Sequence, residues 1–583
     1  MASFSGAIRI GDLNDFIAPS QACVVSLNGN KLEAKDEHEV GVVQLQRPSG
    51  FPQVNSSAAE GPVKVSLHDC LACSGCVTSA ETILLQHQSI DEFVTKLSDP
   101  RITVVVSLSP QSIVSLAAIY NLHPAECVAK ITAVLKSHGV AAVFDINWAR
   151  DISLLESAAE FIDRYRHKLN GASTDDSSNG GAVDMAIDSS NININNDVAG
   201  PSSFTAQSPL QGPLPVPLPL PMLASACPGW VCYAEKTHGN FVLPYISTSK
   251  SPQAVMGTLI KQQWAVGKGI HPAYVYHCAV MPCYDKKLEA ARDDFTVPLS
   301  SLSQSDTLNF GTDLNTSTSA APIPETDCVL ATTELYEWLQ SLQISDNWAA
   351  IPAASFDAPF SNQVLSSSSS STSSENNKDQ YAGKSYSVPG GSGGYMEYIF
   401  RTAARELFNQ ELPPGQPLPI IQGRNADIKE CSLVVNGQRV LHFAAAYGFR
   451  NIQGLMRKIK INRCEYDYVE VMACPSGCLN GGGQMKPGTV ATRGVQGNNA
   501  AASSGENKGV PSSQSVQHLI EQLEISYHNN EYLEHRVPQL NPSVEELYRE
   551  WIRGVPGSEK SKEILHTKYH VREKTIASAI ADW

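Results

Sequence analysis

Residues Val471–Gln484 read VMACPSGCLNGGGQ: two cysteines four positions apart, followed by three consecutive glycines. The residues leading into them, YDYVEV (Tyr466–Val471), form a short apolar run that reads as a buried strand, so Cys474 and Cys478 fall just beyond its carboxyl end. In open α/β sheets that is where ligands bind. Thiols beside residues without side chains admit two explanations. Either a glycine-rich turn happens to hold two cysteines, or a large group sits on them and the backbone must pass close by.

The same strand-then-loop pattern recurs outward from this stretch. RITVVVSLSP (Arg101–Pro110) reads as a buried strand, and an apolar helix pattern follows from Gln111 to Asn121. GVAAVFDINW (Gly139–Trp148) is a strand after a glycine helix stop, and DISLLESAAEFIDRY (Asp151–Tyr165) is an amphipathic helix. AYVYHCAVMPC (Ala273–Cys283) and DCVLATTELYEWL (Asp327–Leu339) repeat the theme, and Cys283 also lies directly after a strand. Asn436-Gly437, between two apolar runs, predicts a hairpin. The alternation predicts an α/β fold with mainly parallel sheets covered by helices.

Four biased stretches interrupt it: about Gly171 to Gln211, Ser300 to Thr326, Pro359 to Lys384 and Pro487 to Ser515. Their apolar content is too low to offset the entropy of ordering them, so they are expected to be largely disordered. The expected division is an N-terminal cysteine segment (1–100), two lobes built from 101–170, 221–345 and 391–484, a linker (171–220), insertions at 346–390 and 485–515, and a C-terminal region (516–583).

The chain has 583 residues, 42% hydrophobic and 17% charged, enough for two to four domains with a substantial core. A net charge of −15 with no basic stripe argues against a nucleic-acid partner. The longest apolar run is broken by prolines (Pro213–Ala226), so no membrane span is expected, and the N-terminus lacks the pattern of an export signal. In a reducing, cytoplasmic setting the 14 cysteines are metal ligands or buried thiols rather than disulfides.

HDCLACSGCV (His68–Val77) holds Cys70, Cys73 and Cys76 at repeated two-residue spacing. Such a loop can wrap a compact inorganic core, either an iron–sulfur cluster or zinc. It is similar to half of a bacterial ferredoxin motif, but the fourth cysteine position is Ala80, followed by Glu81 instead of proline. Cys23 is the nearby cysteine left to supply the fourth thiolate.

A second set is dispersed: Cys227 in SACPGWVCYAEKTHG, Cys283 in VMPCYDKKLE, and Cys474 with Cys478. These three segments resemble the three signature motifs of iron-only hydrogenases, and similarity extends through SKSPQAVMGTLIK, GGSGGYMEYIFRTA and LYREWIRGVPGSEKSKEILHTKY. Within that superfamily the chain most resembles the eukaryotic cytosolic iron–sulfur assembly factors of the nuclear prelamin A recognition factor-like family. The resemblance implies two 4Fe–4S clusters, one on Cys23, Cys70, Cys73 and Cys76, the other on Cys227, Cys283, Cys474 and Cys478 between two α/β lobes. Gly481, Gly482 and Gly483 would then let the backbone pass close to the second cluster. It also implies a cluster carrier or adaptor for cytosolic and nuclear apoproteins, in the cytoplasm and also the nucleus. Upstream scaffold proteins and the cytosolic targeting complex would be its partners, with Trp583 as a docking residue.

One departure bears on activity. Hydrogenases place a proton-relaying cysteine before the ligand cysteine of the first motif; here the residue is Ala226, while Lys286 matches the second motif's lysine. Loss of a positioned proton donor removes a factor of about 10² to 10⁴. Hydrogenase activity is therefore not expected, and a redox enzyme or a metal-stabilised interaction protein are the alternatives. Cys127, Cys232, Cys278, Cys328, Cys431 and Cys464 read as structural thiols, His123 and His277 as core or surface residues, and Val516–Ile525 as a core helix. If Cys23 completes the N-terminal site, Cys23→Ala lowers bound iron as far as Cys73→Ala does. Iron and sulfide counts on the two full-length variants check this, and an unchanged count in Cys23→Ala would assign the position to another group such as His68.

Overall fold

The computed structural model describes residues 88–172, 218–298, 322–343, 348–357, 385–386, 390–412, 416–486, 513–528, 533–534 and 537–572. Cys23, Cys70, Cys73, Cys76 and the C-terminal IADW lie outside them.

Valines 104 to 106 and Leu108 have no exposed face, so their strand can only be central to a sheet covered on both sides. The chain reaches it through α1 (Ile90–Leu97), capped by Ser89, and then forms β1 (Thr103–Leu108), α2 (Pro110–Tyr120), α3 (Pro124–Ser137), β2 (Ala142–Asp145) and the long α4 (Asn147–Ala172). Next come β3 (Met222–Ala224), α5 (Pro228–Tyr233), α6 (Pro252–Thr258), β4 (Val275–Met281), α7 (Asp285–Ala290), β5 (Cys328–Ala331), α8 (Thr332–Ser341) and α9 (Tyr395–Phe408). Then β6 (Ile421–Gln422), β7 (Ile428–Val435), β8 (Gln438–Tyr447), α10 (Phe449–Lys460), β9 (Tyr468–Met472), α11 (Ser513–His528), α12 (Pro542–Leu547) and α13 (Glu559–Leu565) follow.

Two sheets result. The first is wholly parallel, in the order β2-β1-β4-β5, with Val105 beside Ala142 and Cys278 beside Cys328. The second runs β3-β9-β8-β7-β6; β3, β9 and β8 are parallel, and β7 and β6 form an antiparallel edge. That edge follows from the hairpin signal: Asn436 and Gly437 adopt φ of 52° and 81°, the two positive values that a two-residue turn with the strand twist requires.

Helix α4 joins the lobes. Ala149 and Ile152 pack with Val255, Met256 and Tyr548 under the first sheet, whereas Leu154, Ala158 and Phe161 pack with Phe400, Phe443 and Tyr468 under the second. Between these patches Ser153 Oγ lies 2.7 Å from both the Lys250 carbonyl and the Tyr395 hydroxyl. Glu156, fully buried, accepts from Tyr548 Oη (2.6 Å), Gly557 N (2.9 Å), Ser561 Oγ (3.1 Å) and His566 Nε2 (2.9 Å), so the C-terminal segment is clasped to the same helix.

The packed structure extends into the margins of the expected insertions. Gly171 and Ala172 close α4; Glu325 and Thr326 are buried, with Lys250 paired to Glu325 at 2.8 Å; Trp348 is buried; Asp357 pairs with Lys136 at 2.9 Å; and Met485 is buried. Apolar counting overlooked these residues because long-range partners, not local composition, hold them. Val516–Ile525 falls within α11, whose Leu523 and Tyr527 enter the core. Cys127, Cys232, Cys278, Cys328 and Cys431 are buried thiols outside any disulfide and Cys464 is half-buried. His277 is buried between Ser107 Oγ (2.9 Å) and the Glu325 carbonyl (3.3 Å), and burial depresses its pKa to about 3.

Replacing Glu156 by Ala leaves the Tyr548 hydroxyl, the Gly557 N–H and His566 Nε2 without this acceptor, while Ser561 Oγ keeps the Ser558 carbonyl at 2.9 Å, so it is expected to cost about 3–5 kcal/mol, read as a lowered denaturation midpoint.

Candidate metal centre

Three strand ends deliver the four dispersed cysteines to one place. Beyond β3, Ser225 Oγ donates to the Val471 carbonyl and accepts from Cys227 N (3.0 Å), which pins Cys227 at the N-terminus of α5. Pro228 opens that helix, where its missing N–H costs nothing. Beyond β4, Met281-Pro282 turns the chain so that Cys283 is buried immediately before α7. Beyond β9, Cys474 begins a tight turn through Ser476 (φ 59°) and Gly477 (φ 80°) to Cys478. The turn is held by bonds from Gly477 N to the Cys474 carbonyl (3.1 Å) and from Ser476 N to Asp427 Oδ1 (2.6 Å).

All four cysteines line one cavity of about 60 Å³ between the lobes. Ala473 N donates to Cys227 Sγ at 3.4 Å, and Ser392 Oγ accepts from Cys478 N at 3.1 Å. The lining contains no histidine and no carboxylate; its charged members are Arg150 and Lys286. Both cations are buried, and Lys286 Nζ is held by Glu289 (2.6 Å) and Ser251 Oγ (3.1 Å). Burial, with Asp285 as the next cause, pushes the Cys227 thiol up to about 11 and Cys283 well above the ordinary thiol range. Burial and then Cys227 push Cys478 up to about 12 and raise Cys474 well above the ordinary thiol range. Each of these thiols is therefore neutral near pH 7 unless metal takes the place of its proton.

This donor set fits an iron–sulfur cluster. Four soft thiols face a shared void, and the charged side chains that line it among the described residues, Arg150 and Lys286, are cations, which offset the charge of a group bound by four thiolates. Among the described residues, no three Cys, His, Asp or Glu side chains converge closely enough to hold a single metal ion, so the thiols surround a space rather than a point. Ala226 also lines the cavity and presents only a methyl group there.

The glycine run has a steric cause. A Cβ on Gly481 would lie 2.3 Å from the Pro282 carbonyl oxygen, and one on Gly483 would lie 2.8 Å from Ala331 Cβ. Gly483 N also donates to the Pro282 carbonyl at 3.0 Å. Hence the close neighbour that excludes side chains is the Pro282-Cys283 backbone, and the run seals the third motif against the second.

Two supports were not singled out from sequence. Ser392, from the glycine-rich GGSGG, bonds Cys478 N and approaches Gly477 so closely that a Cβ there would sit 2.0 Å from its Oγ. Glu470 belongs to the third motif but is not among the residues lining the cavity. Its Oε2 accepts from Met396 N at the start of α9 (2.7 Å), its Oε1 accepts from Tyr447 Oη (2.9 Å), and burial raises its pKa. Its place in the motif is thus structural: it ties β9 to α9. Only contacts distant in sequence reveal either role.

Comparison with known proteins agrees with this geometry. The family described as "Iron only hydrogenase large subunit, C-terminal domain" matches residues 102–175 and 217–482, and "Iron hydrogenase small subunit" matches 518–572. "Protein NAR1" of Arabidopsis thaliana is 40% identical, covering 100% of this chain and 99% of its own length. "Cytosolic iron-sulfur assembly component 3" of Mus musculus is 38% identical over 100% of both chains. Among solved structures, an [FeFe]-hydrogenase HydA1 variant from Chlamydomonas reinhardtii superposes with a TM-score of 0.56 at 23% identity, covering 83% of this chain and 99% of its own, a likeness of fold.

Gly481→Ala is expected to displace the Cys478 loop, costing about 1–3 kcal/mol and lowering the iron retained after anaerobic loading. Gly423→Ala, whose Cβ would meet nothing within 4 Å, is the control that should leave both readings unchanged.

Proposed function

The chain belongs to the cytosolic iron–sulfur assembly factors built on the iron-only hydrogenase scaffold, and from that membership we propose that it binds two 4Fe–4S clusters and serves as a carrier or adaptor. In this reading it helps pass clusters to cytosolic and nuclear apoproteins. Cys227, Cys283, Cys474 and Cys478 hold the inner cluster, and Cys23, Cys70, Cys73 and Cys76 the N-terminal one. Upstream scaffold proteins and the cytosolic targeting complex are its partners, the latter engaging Trp583.

The observation that carries the reading is the composition of the inner cavity: four thiols, two cations, and Ala226 where a proton-relaying thiol would stand. A bound cubane supplies a one-electron redox centre or a cluster for transfer. Lys286 and Arg150 offset thiolate charge, while Ser392 and the Ala473 N–H orient Cys478 and Cys227. None of these groups offers an acid poised to deliver protons one at a time, which hydrogen chemistry requires.

Anaerobic reconstitution of the full chain, with iron and sulfide counts and Mössbauer spectroscopy, is expected to give about eight iron atoms per chain, four for each cubane. Hydrogen evolution with a strong reductant should be negligible in the wild type, with Ala226→Cys measured beside it. Zinc in place of iron, or a count near four, would overturn the two-cluster reading; robust wild-type turnover would replace the carrier with an enzyme.

A further inference from the structure

The segment Phe449–Arg463, FRNIQGLMRKIKINR, carries five cations and no acid in a chain of net charge −15. Its inner residues Ile452, Leu455, Met456 and Ile459 are buried, while Arg450, Gly454, Arg457 and Lys458 share the exposed face of α10. Lys460, Ile461 and Arg463 continue the exposed surface at its end, with Ile461 54% exposed. Among the described residues Arg450, Arg457, Lys460 and Arg463 form no ion pair; Lys458 lies 5.6 Å from the Tyr466 ring. Positive charge is crowded here: after burial, Lys460 is the next cause that lowers the pKa of His238, and the turn bearing Lys236 and His238 packs alongside through Tyr233 and Phe449.

Helix physics accounts for only part of this. Cations in the last turn favour the helix dipole, which explains Arg457, Lys458 and Lys460. Arg450 lies in the first turn, where a cation is unfavourable, and no acid offsets it. Gly454 is more telling. A glycine within a helix costs about 0.5–1 kcal/mol relative to alanine. A Cβ at Gly454 would meet nothing within 4 Å, so no intramolecular contact explains its absence. A flat spot flanked by Arg450 and Arg457, neither in an ion pair among the described residues, lets a second molecule approach the helix backbone.

We propose that the outer face of α10 is a docking surface for an acidic polypeptide partner. Its position gives the contact a purpose under the function proposed above, on which this inference rests. Gly448, which precedes α10, donates its N–H to the Met472 carbonyl (2.8 Å), and a Cβ there would lie 3.6 Å from Pro475. Pro475 and Ser476 are the exposed crest of the Cys474–Cys478 loop, so the N-terminal end of α10, with Arg450, adjoins the inner metal centre, and Arg457 and Lys458 lie roughly 14 Å further along the helix. A polypeptide suits the surface better than a nucleic acid. Carboxylates can pair with these cations, and an apolar side chain, which a polyphosphate backbone does not carry, can cover the exposed Ile461 among them.

The test uses the full-length, cluster-loaded protein against three probes: the purified targeting complex, the purified scaffold proteins and a single-stranded RNA 15-mer. The variants are Arg457→Glu with Lys458→Glu, and Gly454→Gln, all at exposed positions. Wild-type binding to one of the protein probes is expected to weaken as salt rises, and both variants should lose about tenfold in affinity, as altered charge pairs at an interface do. Melting temperature and iron content should not fall in Gly454→Gln, which separates a docking defect from misfolding. If a protein probe binds wild type and variants equally, this inference fails while the proposed function stands. Tighter binding to RNA than to either protein would overturn the polypeptide partner, and no wild-type association with either protein would overturn both.

Discussion

Four thiols that must face one cavity come from two sheets, and so the relation between the sheets is the constraint on which the centre depends. Cys227, Cys474 and Cys478 follow strands of the second sheet, whereas Cys283 follows a strand of the first. Helix α4 fixes that relation by placing Ile152 in one core and Leu154 in the other, two residues apart on a single rigid rod. The Ser153 bonds to Lys250 and Tyr395, and the Glu156 clasp on the C-terminal segment, lock its rotation. A sliding of the lobes would carry Cys283 away from the other three thiols.

The cavity's chemistry follows from what is kept out of it. Carboxylates beside four thiolates would add unscreened repulsion in a low-dielectric space. Glu289 touches the far end of Lys286 instead, and Glu470 turns toward Tyr447 and Met396. Asp285 is the nearby exception: it raises Cys227 and Cys283, and a Cβ on Gly229 would lie 2.8 Å from its Oδ2. Were a cluster bound here as proposed, metal binding and folding would be coupled, because the unfilled thiols stay protonated and the filled ones would tie both lobes together.

The hydrogenase scaffold and the assembly relatives are reconciled at a single lining position. The strands, the turns and the second motif's lysine are those a cubane-holding cavity needs, and Ala226 leaves the neighbouring wall inert. A fold matured to surround a reactive cluster can also surround one that is carried or kept as a redox element. Under the proposed carrier function, α10, whose N-terminal end adjoins the Cys474–Cys478 loop, would offer a face for a partner.

Much of this was legible in the residues alone. Local patterns determined the elements: valine runs became β1, Asn436-Gly437 became the turn between β7 and β8, and the cysteine spacings marked loops beyond strand ends. Those features depend on neighbours within a few positions, so a linear reading captures them. The tertiary structure alone decided that Gly481 and Gly483 yield to Pro282 and Ala331, that Ser392 supports Cys478, and that Glu470 serves α9. It also decided that Glu325 and Trp348, at the margins of composition-poor stretches, belong to the core. Each of these rests on a contact between residues far apart in the chain, formed only once two sheets are packed around α4, and no local pattern encodes where such partners meet.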